Sequence, residues 1–101
     1  MRVMITVLNP NEEFNAAVQD GTAGQKMQAI LEAAQPETVY FTEKEGKRCT
    51  VLIVDMEDPS AIPSLAEPWF LTFNSEVHFS IIMSPEDLAS AGLEELGKKW
   101  G

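Results

Sequence analysis

The residues best suited to chemistry in this sequence are one histidine and a few hydroxyl-bearing side chains. His78 is the only histidine, and imidazole is the side chain that can take up or release a proton near neutral pH. It can therefore act as a general base. Ser80 follows it by two residues, on the same side of an extended strand, and Tyr40 can donate a hydrogen bond to a substrate. These residue types predict acid–base chemistry without a cofactor.

Each candidate also has a purely structural interpretation. His78 can be an edge-strand or interface histidine hydrogen-bonded to a neighbour, and Tyr40 can pack with its hydroxyl on one polar partner. Trp69, with Phe70 and Pro68 beside it, can line the mouth of a pocket, but core packing explains it more simply. The candidate catalytic residues are His78 and Tyr40, and the candidate ligand-binding residues are Thr6, Ser80, Met4 and Trp69.

No pattern of metal ligands is recognisable. A single cysteine and a single histidine do not form a cluster with the usual spacing, although haem bound through His78 stays open as a minor alternative. Cys49 lies in an apolar run, which predicts a buried structural thiol rather than a nucleophile with a nearby base. Asp55, Glu57 and Asp58 can bind a hard cation, but helix capping and a solvated loop explain them more simply. We expect neither a metal nor a cofactor.

Length, charge and composition narrow the classes of protein to consider. The chain of 101 residues predicts a single domain over residues 1–101, and 45% apolar residues suffice for a core. A net charge of −9 argues against nucleic acid and anionic membranes as partners. No apolar run approaches the roughly 20 residues of a membrane span. The first residues alternate like a strand rather than a signal peptide, and one cysteine fits a cytoplasmic protein.

Four strands and their connecting helices must position the candidate residues. Apolar and β-branched residues predict strands at residues 2–8, 38–42, 49–54 and 77–83. Residues 13–35 predict a helix that is kinked or broken at residues 20–24, where two glycines lie close together. Asn9, Asp58 and Ser84, each followed by proline, are predicted N-caps. The helix after Asp58 should be short or kinked around Pro68, and a last helix should follow Ser84.

The turn between the second and third strands decides which residues share a face. The sequence Lys44-Glu45-Gly46-Lys47 predicts a hairpin turn with glycine at a positive φ. The helix-facing side is expected to carry Val3, Ile5, Val7, Val77, Phe79 and Ile81, joined by Val39, Phe41, Leu52 and Val54 if the loop has two residues. The opposite side then carries Met4, Thr6, Leu8, Tyr40, Thr42, Cys49, Val51, Ile53, His78, Ser80 and Ile82. A three-residue loop would exchange the two faces of the third strand.

The predicted order of elements is β-α-β-β-α-β with a C-terminal helix, which is the ferredoxin-like pattern of an α+β fold. The first and third strands are apolar on both faces, so they should lie in the centre of the sheet. Right-handed crossovers place the helices on one face only. The other face is too apolar to remain in water, and a twofold homodimer would cover it with a second copy.

This layout, together with the opening Met1-Arg2-Val3-Met4-Ile5-Thr6, resembles a family of small bacterial proteins of unknown function in the dimeric α/β-barrel superfamily. The resemblance implies a homodimer in which two ferredoxin-like sheets pack face to face. That superfamily includes cofactor-free monooxygenases, muconolactone-type isomerases, haem-binding members and members with no known activity. The fold therefore does not select a function.

Two hypotheses follow from the sequence. The first is a homodimer that binds a small organic molecule in a partly polar cavity on the sheet face, or between sheet and helices. Catalysis in such a cavity would use His78 as the base and Tyr40 as a hydrogen-bond donor. The second is a non-catalytic regulatory or interaction module with a filled, dry dimer interface, similar to small amino-acid-sensing domains of this topology. The sequence leaves both open, and with them whether the protein is an enzyme.

Overall fold

The centre of the computed structural model, which describes residues 1–101, is one antiparallel sheet of four strands. The strands are β1 Arg2–Asn9, β2 Thr38–Lys44, β3 Lys47–Asp55 and β4 Glu76–Ile81, in the order β2-β3-β1-β4. The predicted central position of the first and third strands is confirmed. Each of these two strands is paired with a neighbour along both of its edges.

Helices connect the strands and extend beyond the last one. They are α1 Asn11–Gln19, α2 Ala23–Ala34, α3 Ile62–Phe73, α4 Pro85–Ala89 and α5 Leu93–Trp100, with a short 3₁₀ helix at Pro59–Ala61 before α3. Together with the sheet they form an α+β fold that is consistent with a ferredoxin-like arrangement. The expected interruption of the first helical segment is also confirmed, since α1 and α2 are separate helices.

The core lies between the sheet and α1, α2 and α3. From the sheet it takes one face of the central strands, and from the helices it takes large apolar side chains; its members include Val3, Ile5, Val7, Leu52, Val54, Phe14, Ile30, Trp69 and Phe73. The rings of Phe14 and Phe73 lie 4.7 Å apart between their centroids, which ties α1 to α3. Each such side chain contributes roughly 1.5–3 kcal/mol when fully buried.

The hairpin between β2 and β3 has a two-residue turn. Glu45 and Gly46 have φ values of 56° and 78°, and two positive φ values are the signature of a type I′ turn. Val39 consequently pairs with Leu52, a residue of the core face. The predicted division of side chains between the two faces is therefore correct for a two-residue loop.

The start of the first helix differs from the prediction. Asn9 is the last residue of β1, where it pairs with Arg48, and its Oδ1 accepts a hydrogen bond of 2.6 Å from the buried Ser75 hydroxyl. The strand ladder and this buried partner outweigh the capping preference of Asn9, so Pro10 occupies the N-cap position. At the break after α1, Asp20 Oδ1 accepts hydrogen bonds from the backbone N–H and hydroxyl of Thr22.

Two other helices also differ. α3 runs through Pro68 without ending, because burial of Trp69 and Phe73 in the core stabilises the helix against the loss of one backbone hydrogen bond. The predicted last helix is two helices. Ser84 and Asp87 form the expected capping box at its start, but Gly92 adopts a left-handed φ of 74° and separates α4 from α5.

Gly46→Ala should lower the free energy of unfolding by about 1 kcal/mol, because alanine is strained at a positive φ. A Cβ at this glycine would meet nothing within 4 Å, so the loss comes from the backbone alone. Gly24→Ala is the matched control, since it lies in α2 with equally open surroundings and should raise the free energy of unfolding by about 0.5 kcal/mol. Urea unfolding followed by circular dichroism measures both, and equal signs would contradict the type I′ turn.

Candidate functional site

One face of the sheet carries no helix, and most candidate residues lie on it. We call this surface the open face; it consists of the even residues 4–8 of β1, the even residues 38–42 of β2, the odd residues 49–53 of β3 and the even residues 76–80 of β4. Val3, Ile5 and Val7 on the core side of β1 are buried, whereas Met4 and Thr6 on the open face are half-buried. Leu8 and Cys49, at the hairpin end of the open face, are buried, so the accessible part of this face lies around Met4, Thr6, Val51 and Ile53.

Four residues form a row across the open face. Tyr40 lies opposite Val51, Val51 opposite Thr6, and Thr6 opposite His78. Neighbouring strands are about 4.8 Å apart, so the backbones of Tyr40 and His78 are separated by roughly 14 Å. Within one chain these two side chains therefore lie at opposite edges of the sheet and cannot act on the same small group of atoms.

Four of the six predicted site residues do lie together. Met4 is paired with Ser80 and Thr6 with His78 on the neighbouring strands β1 and β4. We call these four residues the His78 cluster. It offers one imidazole and two hydroxyls beside an apolar thioether, a combination able to bind a small molecule with both polar and apolar parts.

Trp69 lies away from the other candidates. It projects from α3 into the core, where it is fully buried and its ring centroid is 6.4 Å from that of Phe73. Because the core is on the opposite side of the sheet, Trp69 does not line the open face. This position agrees with core packing, the simpler of the two interpretations of Trp69.

Glu76 is a neighbour of His78 that the sequence reasoning missed. The Nε2 atom of His78 lies 3.2 Å from the Glu76 carboxylate oxygen Oε2. If Nε2–H donates to this carboxylate, Nδ1 is the nitrogen left with a lone pair to accept a proton. Both side chains are more than half exposed, so the pair adds little stability and acts mainly by orienting the ring. The sequence could have indicated this neighbour, because residues two apart on a strand share a face.

Two acidic residues after β3 contact main-chain groups. The ammonium group of Met1 lies 2.9 Å from Asp55, and its hydrogen bond and charge hold the pKa of that carboxyl below its usual range. Asp58 caps the 3₁₀ helix by accepting a hydrogen bond from the Ser60 N–H. No group of three or more His, Cys, Asp or Glu side chains is arranged to hold a metal ion.

The concave surfaces of the single chain lie elsewhere. One, of about 550 Å³, lies between α4 and α5, and a second, of about 530 Å³, lies between the end of β4 and α4. Neither is lined by a residue of the open face. The His78 cluster is therefore an exposed surface in the single chain, not an enclosed pocket.

Comparisons with known proteins add little to this geometry. No protein-family model and no curated protein sequence matches the chain. Among solved structures, the de novo designed protein Ferredog-Diesel is similar, with a TM-score of 0.44 and 11% identity over 80% of this chain and 85% of the design. None of the helices is long and apolar enough to cross a membrane.

The Cys49 thiol should react slowly in the folded protein. Burial raises its pKa, which leaves less thiolate at pH 8, and the side chain is almost inaccessible. We expect its reaction with Ellman's reagent at pH 8 to be at least about tenfold slower than in urea. Equal rates in the two conditions would show that Cys49 is an accessible, reactive thiol.

Proposed function

We propose that this chain forms a homodimer through its open face and binds a small organic molecule beside the His78 cluster, between the two sheets. The subunit in this proposal is ferredoxin-like with βαββαβ order, and the dimer is an α/β barrel like those of the bacterial family that the sequence resembles. The observation that carries the proposal is that the sheet is covered by helices on one face only.

The open face needs a cover that is itself partly apolar. Met4, Val51 and Ile53 are half-buried side chains at its centre, flanked by hydroxyl groups and by His78. Four strands about 4.8 Å apart and six residues at about 3.3 Å each give a face of roughly 400 Å², of which Met4, Val51 and Ile53 form the apolar centre. A second copy offers the same mixture of groups, and a twofold axis makes such a surface self-complementary.

A twofold arrangement would also bring Tyr40 close to a His78 side chain, from which it is separated within one chain. When the axis lies between the sheets and runs along the strands, the β2 edge of one copy lies over the β4 edge of the other. Tyr40 of one subunit then faces His78 of its partner across a gap of about 10 Å between the sheets. Side chains fill most of a gap of this width, so a ligand would occupy the space that the short side chains Thr6 and Ser80 leave, with His78 as base and Tyr40 as hydrogen-bond donor. The dimer would hold two such equivalent sites.

Val51→Lys should convert the dimer to a monomer. Val51 lies near the centre of the open face, where a partner sheet would bury the new charge without a counter-ion. Val18→Lys makes the same change at an exposed position of α1 and should leave the dimer intact. Sedimentation equilibrium at about 10 μM measures all three proteins, and a monomeric wild-type protein at that concentration would refute the homodimer.

His78→Ala should weaken ligand binding about tenfold. A fragment library of small aromatic and carboxylic compounds, followed by ¹H–¹⁵N spectra, would identify ligands that shift the amide resonances of Thr6 and Ser80. Gln25→Ala, on the exposed side of α2, is the control and should bind as the wild type does. Equal binding by His78→Ala would remove this residue from the site. A dimer that binds no fragment would favour the non-catalytic module with a filled interface.

A further inference from the structure

The C-terminal segment of residues 84–101, which we call the arm, lies against almost nothing in its own chain. None of the residues of α4 and α5 is buried, and the side chain of Trp100 is 78% exposed. The molecule is 59 Å long, with a radius of gyration of 17.0 Å, against about 13 Å for a compact chain of this length. The arm therefore projects away from the sheet and its helices.

The arm nevertheless has the sequence of a well-specified structure. Its helices have 5 and 8 residues, far fewer than the roughly 12–15 at which an isolated helix becomes even marginally stable in water. The Ser84 capping box and the left-handed Gly92 fix their ends. Leu93, Leu96 and Trp100 form an apolar stripe at helical spacing along α5. Helices this short, with such a stripe, require a surface to pack on.

The apolar surface of the arm is continuous. The concave surface of about 550 Å³ is lined by Pro85, Leu88 and Leu93 among others, and the one of about 530 Å³ is lined by Ile81, Met83, Pro85 and Leu88 among others. Pro85 and Leu88 line both. One apolar strip therefore runs from the end of β4 along α4 to α5.

A second exposed apolar surface lies on the edge strand β2. Tyr40 and Phe41 point to opposite sides of the sheet, yet both are 63% exposed. A dimer that covers only the open face would cover Tyr40 and leave Phe41 in water.

The area of the open face is too small for a stable dimer by itself. Its roughly 400 Å² is about half of the roughly 800 Å² that each partner contributes to a standard interface. Trp100 can bury about 150–250 Å², and the three leucines of the arm about 100 Å² each. The open face and the arm together reach the area that a stable dimer needs.

We propose that the arm of each subunit packs on edge strand β2 of a second copy of this chain, with the stripe Leu93, Leu96 and Trp100 covering Phe41 and the edge of Tyr40. This inference rests on the homodimer proposed above. In that arrangement the β4 edge of one copy lies over the β2 edge of the other. β4 ends at Ile81, four rows or roughly 13 Å along the strands from the row of Phe41, a distance that the arm can span. The arm of one subunit thereby borders the site that contains Tyr40.

Leu96→Glu should weaken the dimer about tenfold, because it places a charge within the stripe. Leu71→Glu makes the same change at an exposed leucine of α3 and should leave the dissociation constant within about twofold. Sedimentation of the full-length variants measures both constants. If Leu71→Glu dissociates the dimer as strongly as Leu96→Glu does, the helix layer rather than the arm is the contact, and the proposal is overturned.

Phe41→Glu tests the docking surface. It should weaken the dimer as Leu96→Glu does, and the double variant should be no weaker than either single variant by more than about twofold, since both changes remove the same contact. Additive effects in this double-mutant cycle would show that the arm docks elsewhere and would overturn the proposed contact with β2.

Trp100 fluorescence separates this proposal from the dimer on which it rests. The spectrum of Trp100 is the difference between wild type and Trp100→Phe, because Trp69 is the only other tryptophan in the chain. Its emission should shift to shorter wavelength and become protected from acrylamide over the concentrations at which the dimer forms. A dimer in which Trp100 stays accessible overturns the arm contact alone, and protection that is independent of concentration shows the arm on its own chain, with the same consequence. A protein that is monomeric throughout overturns both proposals.

Discussion

The constraint on which the rest of the structure depends is that a sheet with two apolar faces receives helices on only one of them. The helices α1, α2 and α3 all pack on the same side of the sheet, as right-handed crossover connections predict. Val3, Ile5 and Leu52 are buried beneath these helices, while Met4 and Val51, their neighbours along the chain, face outward and are half-buried. Burial of the first set stabilises the subunit, and exposure of the second set leaves a surface for association.

The chemistry available to the protein depends on how that surface is covered. Thr6, Ser80 and the His78–Glu76 pair already lie together in one chain, and the pair orients the imidazole. Tyr40 is three strands away in the same sheet. Acid–base chemistry that needs both rings therefore belongs to an assembly rather than to a single subunit. A filled interface would instead use the same residues for association alone.

The arm, like the open face, has an apolar surface that its own chain does not cover. Residues of the arm itself form its helix caps and its apolar stripe, yet no residue of α5 is buried by the rest of the chain. The exposed pair Tyr40 and Phe41 on β2 is likewise unexplained by the subunit alone. The proposed twofold contact would cover the arm, the edge strand and the open face together, which is why the proposed function and the proposed role of the arm are linked.

The sequence by itself determined the strands, their division into central and edge positions, the position of the hairpin turn and two of the three predicted helix caps, whereas the two-residue length of the turn came from the structure. Each depends on neighbours within a few residues: alternation along a strand, a glycine at a positive φ, or a serine before a proline. Tertiary structure decided that Asn9 pairs in the sheet instead of capping a helix, that α3 continues through Pro68, and that Trp69 enters the core. It also separated Tyr40 from His78 and detached the arm, because strand order and long-range packing compete with local preference and are set by contacts between residues far apart in the chain.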